Sequence, residues 1–307
     1  MAFILLLAIC AGTGSGLSPI LDPEFYNDRG LEYAQEGDYD RAIMDYNQAI
    51  LLDPRFTSAY HNRGLAYYKK KDYDRAIADY TEAIRLNPND ARVYSDRGIA
   101  YRNNWEYDLA IADYTEAIRL DPKLADAYYN RGYVYNANGN FDLSIADFTM
   151  AIRLDPNDAA AYYNRGSVYE QKGEHDLAIA DFTRAIRFIP NYAEAYFNRA
   201  FAYFRKQEYD LAIIDFTDAI RLDPDDADAY YNRGNAYFKK LKYDLAITDY
   251  TQAIRLNPDY AKVYNNRGNA YALKGDRARA IADYTEALRL DPNNTDYKEA
   301  LEKARKR

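Results

Sequence analysis

Eight arginines recur at a fixed spacing of 34 residues: Arg29, Arg63, Arg97, Arg131, Arg165, Arg199, Arg233 and Arg267. Eight aspartates follow them at the same spacing: Asp45, Asp79, Asp113, Asp147, Asp181, Asp215, Asp249 and Asp283. A guanidinium can form a bidentate pair with a carboxylate, or, left alone, hold an anion. Since a carboxylate accompanies every guanidinium, the series reads as a structural ion pair, within a unit or between neighbours, rather than a row of anion receptors. The residue before each arginine is also restricted: Asp28, Asn62, Asp96, Asn130, Asn164, Asn198, Asn232 and Asn266. A carboxamide offers both a donor and an acceptor. A ladder of them can hold the backbone of an extended peptide without reading its side chains, and it can equally support packing.

Catalytic chemistry has little to stand on. The carboxylates recur along the whole chain instead of forming one unique cluster. No nucleophile–base pairing, metal motif or nucleotide-binding loop is present. GTGSG at 12–16 lacks the Lys-Ser/Thr and the strand–helix context of a phosphate loop. The two histidines, His61 and His175, are far apart, and the single cysteine, Cys10, excludes an internal disulfide or a cysteine zinc site. The chain is therefore expected to be non-catalytic, with no cofactor and no metal. A net charge of −8 argues against nucleic acid as a partner. The one dense basic run, Lys303, Arg305, Lys306 and Arg307, reads as the cationic end of a helix.

These residues must be held by a repeating element. The 34 tyrosines, against one Trp and 12 Phe, indicate one structural position refilled many times. From Pro23 the chain divides into units 23–56, 57–90, 91–124, 125–158, 159–192, 193–226, 227–260 and 261–294. Each unit reads as two helices. The first carries Tyr at its fourth and eleventh positions and a small residue at its eighth, as in Tyr26, Tyr33 and Gly30. Asp38 and Asp40 stand before the second helix as capping residues. That helix has apolar residues at helical spacing, Ala42, Ile43, Tyr46, Ala49 and Ile50, and stops at Leu-Asp-Pro or Leu-Asn-Pro. Short connections make the two helices antiparallel. Residues 295–307, with Tyr297, Ala300, Leu301 and Ala304 as a stripe, are predicted to form a capping helix.

The unit resembles the tetratricopeptide repeat, whose motif residues Tyr, Gly/Ala, Tyr, Ala, Tyr/Phe, Ala and Pro stand in almost every unit over 23–294. Ala200, Ser144 and Arg277 depart from the pattern. The resemblance implies an all-α fold: a right-handed α-solenoid, or superhelix, of stacked antiparallel helix-turn-helix repeats closed by the C-terminal helix. It also implies that the first helices line a concave groove, with positions 2, 5, 6, 9, 12 and 13 facing inward. Carried onto this chain, the groove would be lined by Asn62, Asn130, Asn164, Asn198, Asn232 and Asn266. Tyr129, Tyr133, Tyr163, Phe197, Phe201, Phe204, Tyr231 and Phe238 would add an apolar patch, because the tyrosines at positions 4 and 11 are expected to fill the core already. The asparagine ladder is similar to that of the superhelical domain of O-linked N-acetylglucosamine transferase. His61, Lys69, Arg92 and Arg102 make the second and third units more basic. The carboxylate clamp of the chaperone-binding members needs Lys at position 5, which no unit has. The function so implied is a protein-interaction scaffold holding a peptide or protein client in the groove. The competing expectation is a self-assembling factor, a homo-oligomer joined at its ends.

Residues 2–11, AFILLLAICA, are too short to span a bilayer but suit the apolar core of an export signal. Leu7-Ala8-Ile9-Cys10 resembles a lipobox, which makes Cys10 the candidate lipidation residue and the membrane a partner through that anchor. Against an export signal, no Lys or Arg precedes the segment. A cloning remnant, a misassigned start, or a segment packing on the first repeat are the alternatives. The compartment follows from that choice: exported or membrane-anchored with a signal, cytoplasmic without one.

Overall fold

Two local signals repeat in every unit and set its shape: a turn that needs a left-handed residue, and a proline that ends the second helix. The computed structural model describes residues 22–306. Cys10, and the signal and lipid readings attached to the N-terminal segment, lie outside the described residues, as does Arg307. Seventeen helices follow one another, and no strand occurs among the described residues. The hairpins are α1 (Pro23–Gln35) with α2 (Tyr39–Leu52), α3 (Thr57–Lys69) with α4 (Tyr73–Leu86), and α5 (Ala91–Asn103) with α6 (Tyr107–Leu120). They continue as α7 (Ala125–Ala137) with α8 (Phe141–Leu154), α9 (Ala159–Gln171) with α10 (His175–Phe188), and α11 (Ala193–Arg205) with α12 (Tyr209–Leu222). The last are α13 (Ala227–Lys239) with α14 (Tyr243–Leu256) and α15 (Ala261–Leu273) with α16 (Arg277–Leu290), followed by α17 (Thr295–Lys306).

The turn inside each hairpin puts one residue at positive φ. Gly37, Gly139, Gly173 and Gly275 take it without a Cβ penalty, whereas Lys71, Trp105, Gln207 and Leu241 hold it at φ 60–65°. Of the expected caps, Asp38 is confirmed: its carboxylate accepts from the Arg41 N–H at 3.0 Å. Asp72 and Asp276 cap α4 and α16 in the same way. Glu106, Glu174, Glu208 and Lys242, with longer side chains, cap nothing at this position. Asp40 is not a cap. It lies in the first turn of α2, and its carboxylate pairs with Lys70 of the next hairpin. Later hairpins repeat this rung as Lys172–Asp142 and Lys206–Asp176.

The aromatic core is built differently from the sequence expectation. The tyrosines at positions 4 and 11 are half-buried. The fully buried ring sits at position 24, on the second helix: Tyr46, Tyr80, Tyr114, Phe148, Phe182, Phe216, Tyr250 and Tyr284. It lies flat against the small residue at position 8. A Cβ on Gly30 would come within 2.6 Å of Tyr46 Cε1, so glycine there sets the approach of the two helices. The outer tyrosines instead flank the arginines; Tyr94 and Tyr101 stand 5.7 Å from the Arg97 guanidinium.

Each arginine pairs with the aspartate of its own hairpin. Arg199 Nε and Nη2 donate to the two Asp215 oxygens at 2.7 and 2.8 Å, and the carboxylate is buried. The remaining Nη1 reaches the preceding hairpin, donating to Thr183 Oγ1 at 2.9 Å. Thr183 donates its own proton to the Ile179 carbonyl, which leaves a lone pair for the guanidinium. The same link joins Arg233 to Thr217, Arg267 to Thr251 and Arg97 to Thr81. One side chain thus closes a hairpin and ties it to its neighbour.

The helices form two compact units, one of α1–α6 and one of α7–α17. Within each, a hairpin contacts the next through its second helix, and the first helices of successive hairpins also touch. No comparable contact joins successive second helices among the described residues, so the first helices lie on the inside of each unit's curve. At the end of the second unit, Leu301 of α17 is buried against Ala280 and Tyr284 of α16, Tyr297 is buried as well, and the exposed face of α17 is charged. Arg277 stands where other hairpins carry Tyr, Phe or His. Its guanidinium donates to the carbonyls of Ala304 and Arg305, capping the end of α17.

Candidate functional site

The inner face is the surface of the first helices. Position 6 places its carboxamides there, and most of their N–H groups are committed to the scaffold. Asn62 donates to Asn27 Oδ1 at 2.9 Å. Asn198 donates to the Tyr163 hydroxyl at 2.9 Å. Asn164 uses both protons, on the Tyr129 hydroxyl and the Ala160 carbonyl. Asn266 donates to the Tyr231 hydroxyl and to Asn235 Oδ1. Asn130 and Asn232 donate to carbonyls of their own helices. The ladder therefore knits neighbouring hairpins through its nitrogens. Among the described residues no donor reaches Oδ1 of Asn62, Asn164, Asn198 or Asn232, so these present acceptors rather than whole amides.

The aromatics are less exposed than an open patch. Tyr133 is 45% exposed, while the other seven are half-buried. Those at position 5 rest on the buried ring of their own hairpin: Tyr129 on Phe148 at 5.7 Å, Tyr163 on Phe182 at 5.8 Å, Phe197 on Phe216 at 5.5 Å and Tyr231 on Tyr250 at 6.2 Å. Burial pushes the Tyr163 hydroxyl pKa up. Phe204 and Phe238 pack edge-on against Tyr209 and Tyr243, each at 5.4 Å. Phe201 joins the cluster of Ala200, Ala212 and Phe216. These rings pack against the core on one side and are partly exposed on the other. In the first unit, His61 Nε2 lies 2.7 Å from Asp96 Oδ2, and Asn103 donates to the Tyr68 hydroxyl at 2.8 Å.

Residues that sequence reasoning passed over complete the face. Position 9 is Asn only in the last two hairpins, Asn235 and Asn269. Each lies 15 residues before the buried tyrosine of its own second helix. Tyr250 donates to Asn235 Oδ1 and Tyr284 to Asn269 Oδ1, both at 2.8 Å. With Phe204, Phe238, Lys239, Tyr250 and Asn266 they line a cavity of about 260 Å³. The pairing of Asn with Tyr at that separation was the available signal. Among the described residues, no group of three or more His, Cys, Asp or Glu is placed to hold a metal ion. No described helix is long and apolar enough to cross a membrane.

Tandem antiparallel hairpins tied by one repeated ion pair define the class: an α-helical repeat protein built as a solenoid. The comparisons with known proteins agree. The tetratricopeptide repeat family matches residues 57–90, 159–192, 227–260 and 261–294. A second description, TPR repeat, matches 30–71, 106–139, 132–173 and 202–240. The chain belongs to the tetratricopeptide repeat family. Among solved structures it is similar to YrrB, described as a TPR protein with an unusual peptide-binding site: 29% identity, TM-score 0.55, covering 60% of this chain and 95% of that one. MamA matches at 30% identity and TM-score 0.52, over 52% of this chain and 94% of that one. The C-terminal part of a TPR repeat-containing protein from Cytophaga hutchinsonii shares the fold at 23% identity and TM-score 0.65, over 78% of this chain and 98% of that one. No curated protein matches the sequence.

Proposed function

We propose that this protein is a non-catalytic scaffold that holds an extended segment of another protein against the inner face of its first helices. The observation that carries this reading is the composition of that face in α7–α15. Half-buried rings alternate there with carboxamide oxygens that no donor of the described chain uses. Rings give an apolar contact at low entropic cost, and spaced acceptors suit the N–H groups of an extended backbone. YrrB, which matches over most of its own length, is described as having a peptide-binding site. Membership of a family whose repeats generally serve as interaction scaffolds points the same way.

The test begins with selection of terminally blocked twelve-residue peptides from a random library on the full-length protein. The reading expects a saturable one-to-one complex with the recovered peptides. Failure to recover any peptide that binds this way, with its ends blocked or, in a second library, free, would overturn it.

A further inference from the structure

The cavity between α11, α13 and α15 has a polarity that the peptide-binding reading alone does not require. Asn235 Oδ1 is held twice, by the Tyr250 hydroxyl at 2.8 Å and by Asn266 Nδ2 at 3.0 Å. Turned over, the amide would set its NH₂ against the Asn266 NH₂, donor facing donor, so its NH₂ is kept as the free end. Asn269 Oδ1 accepts from the Tyr284 hydroxyl at 2.8 Å, which leaves its NH₂ unused. No acceptor among the described residues meets either NH₂ group. Lys239, exposed on the same rim, makes no ion pair among the described residues. No carboxylate lines this cavity. Phe204 and Phe238 form its apolar walls. Asn269 also borders a neighbouring cavity, where Asp296 and Glu299 are matched by Arg277 and Lys303.

Two amide donors, one ammonium and no competing carboxylate make a site suited to an anionic acceptor. We propose that this cavity binds the carboxylate of an Asp or Glu side chain within the extended client, with the adjoining apolar side chain of the client between Phe204 and Phe238. The inference rests on the reading of the inner face as a peptide site. It assigns the carboxylate to a side chain rather than a chain end because the acceptor row continues past the cavity. Asn232 and Asn198 offer unbonded Oδ1 atoms on α13 and α11 for further backbone N–H groups. The unit thus pairs acceptors for backbone with donors for one acidic residue, which is a register mark for the bound segment.

The experiment uses terminally blocked twelve-residue peptides, so that every carboxylate comes from a side chain, selected on the full-length protein and on three variants. Asn235→Asp and Asn269→Asp keep the oxygen that accepts from the buried tyrosine and replace the NH₂ by an anion. Lys239→Gln removes a charge that supports nothing else, so it tests the site even if an asparagine variant unfolds. The wild type is expected to enrich Asp or Glu next to an apolar residue. The asparagine variants should weaken those peptides about tenfold or more through like-charge contact, and Lys239→Gln about threefold. Bound peptides without acidic preference would overturn the proposal while leaving the scaffold reading intact. So would an acidic preference that all three variants retain. Binding that needs a free C-terminus would overturn the assignment to a side chain. If no blocked or free peptide binds, the scaffold reading itself fails and takes this proposal with it.

Discussion

Arg199 shows how one residue sets both local and longer-range order. It pairs with Asp215 inside its hairpin and reaches Thr183 in the preceding one. Arg199→Leu alone leaves a buried carboxylate without its counter-charge and is expected to cost about 3–5 kcal/mol. Adding Asp215→Leu should recover most of that loss, since two apolar groups can replace a buried pair. Chemical denaturation of both variants checks this; equal losses would mean the pair is not the unit of stability. The buried tyrosines make a second statement at this scale. Burial pushes the Tyr46 hydroxyl up to about 12, and raises those of Tyr80, Tyr114 and Tyr250 as well. An unfolded tyrosine titrates near ~10. The folded pKa lies above the unfolded one, so the contribution is complete below about pH 10 and is lost as pH rises through the folded value. Melting temperature should be flat up to about pH 10 and then fall, with phenolate absorbance rising at the unfolding transition. Ionisation of these tyrosines near pH 10 in the folded protein would contradict their burial. The sequence showed the arginine and aspartate rows but not their pairing, because the 16-residue separation fits a contact within a hairpin as well as one between neighbours. It also placed the wrong tyrosines in the core. Recurrence alone does not separate a ring that is buried from a ring that flanks a guanidinium.

At the scale of the element, the hairpins were legible from apolar spacing and from the Leu-Asp-Pro stops, which fix helix ends by local sterics. The caps were legible only in part. Asp38 and Asp40 look equivalent in sequence, yet only Asp38 lies outside the helix where its carboxylate can reach the third N–H. Arg277 read as a flaw in the repeat. It departs from the repeat because its partner is not another repeat but the end of α17. Arg277→Ala should leave the carbonyls of Ala304 and Arg305 without that donor and loosen α17 by roughly 1–2 kcal/mol. Hydrogen exchange in α17 is expected to rise several-fold while α11 and α12 stay protected. Unchanged exchange in α17 would show that Tyr297 and Leu301 hold it without help from the guanidinium.

At the scale of the whole molecule, the element contacts within each compact unit run, among the described residues, between helices of the same or adjacent hairpins, so stability is local and the surface is a series of related but unequal positions. The family was legible because eight copies repeat the same constraints. The site was less so, since the residues that differ between copies are few and their roles depend on contacts across hairpins. Asn235 and Asn269 accept from the Tyr250 and Tyr284 hydroxyls, contacts made only once the second helix of the hairpin is in place. The half-buried state of Phe197, Phe201 and Phe204 could not be read from their positions on the first helix. Polar replacement of all three would disturb packing along with any binding, so an aromatic probe is the better instrument. The most direct measurement places a photoreactive benzoyl-phenylalanine in the full-length chain at Phe201 or Phe238 on the inner face, or at Leu177 or Leu211 on the outer one. Each protein is irradiated with the library-selected peptides and the cross-links are read by mass spectrometry. The account expects cross-links from Phe201 and Phe238 and none from Leu177 and Leu211; cross-links confined to the two leucines would place the client on the outer helices and contradict it.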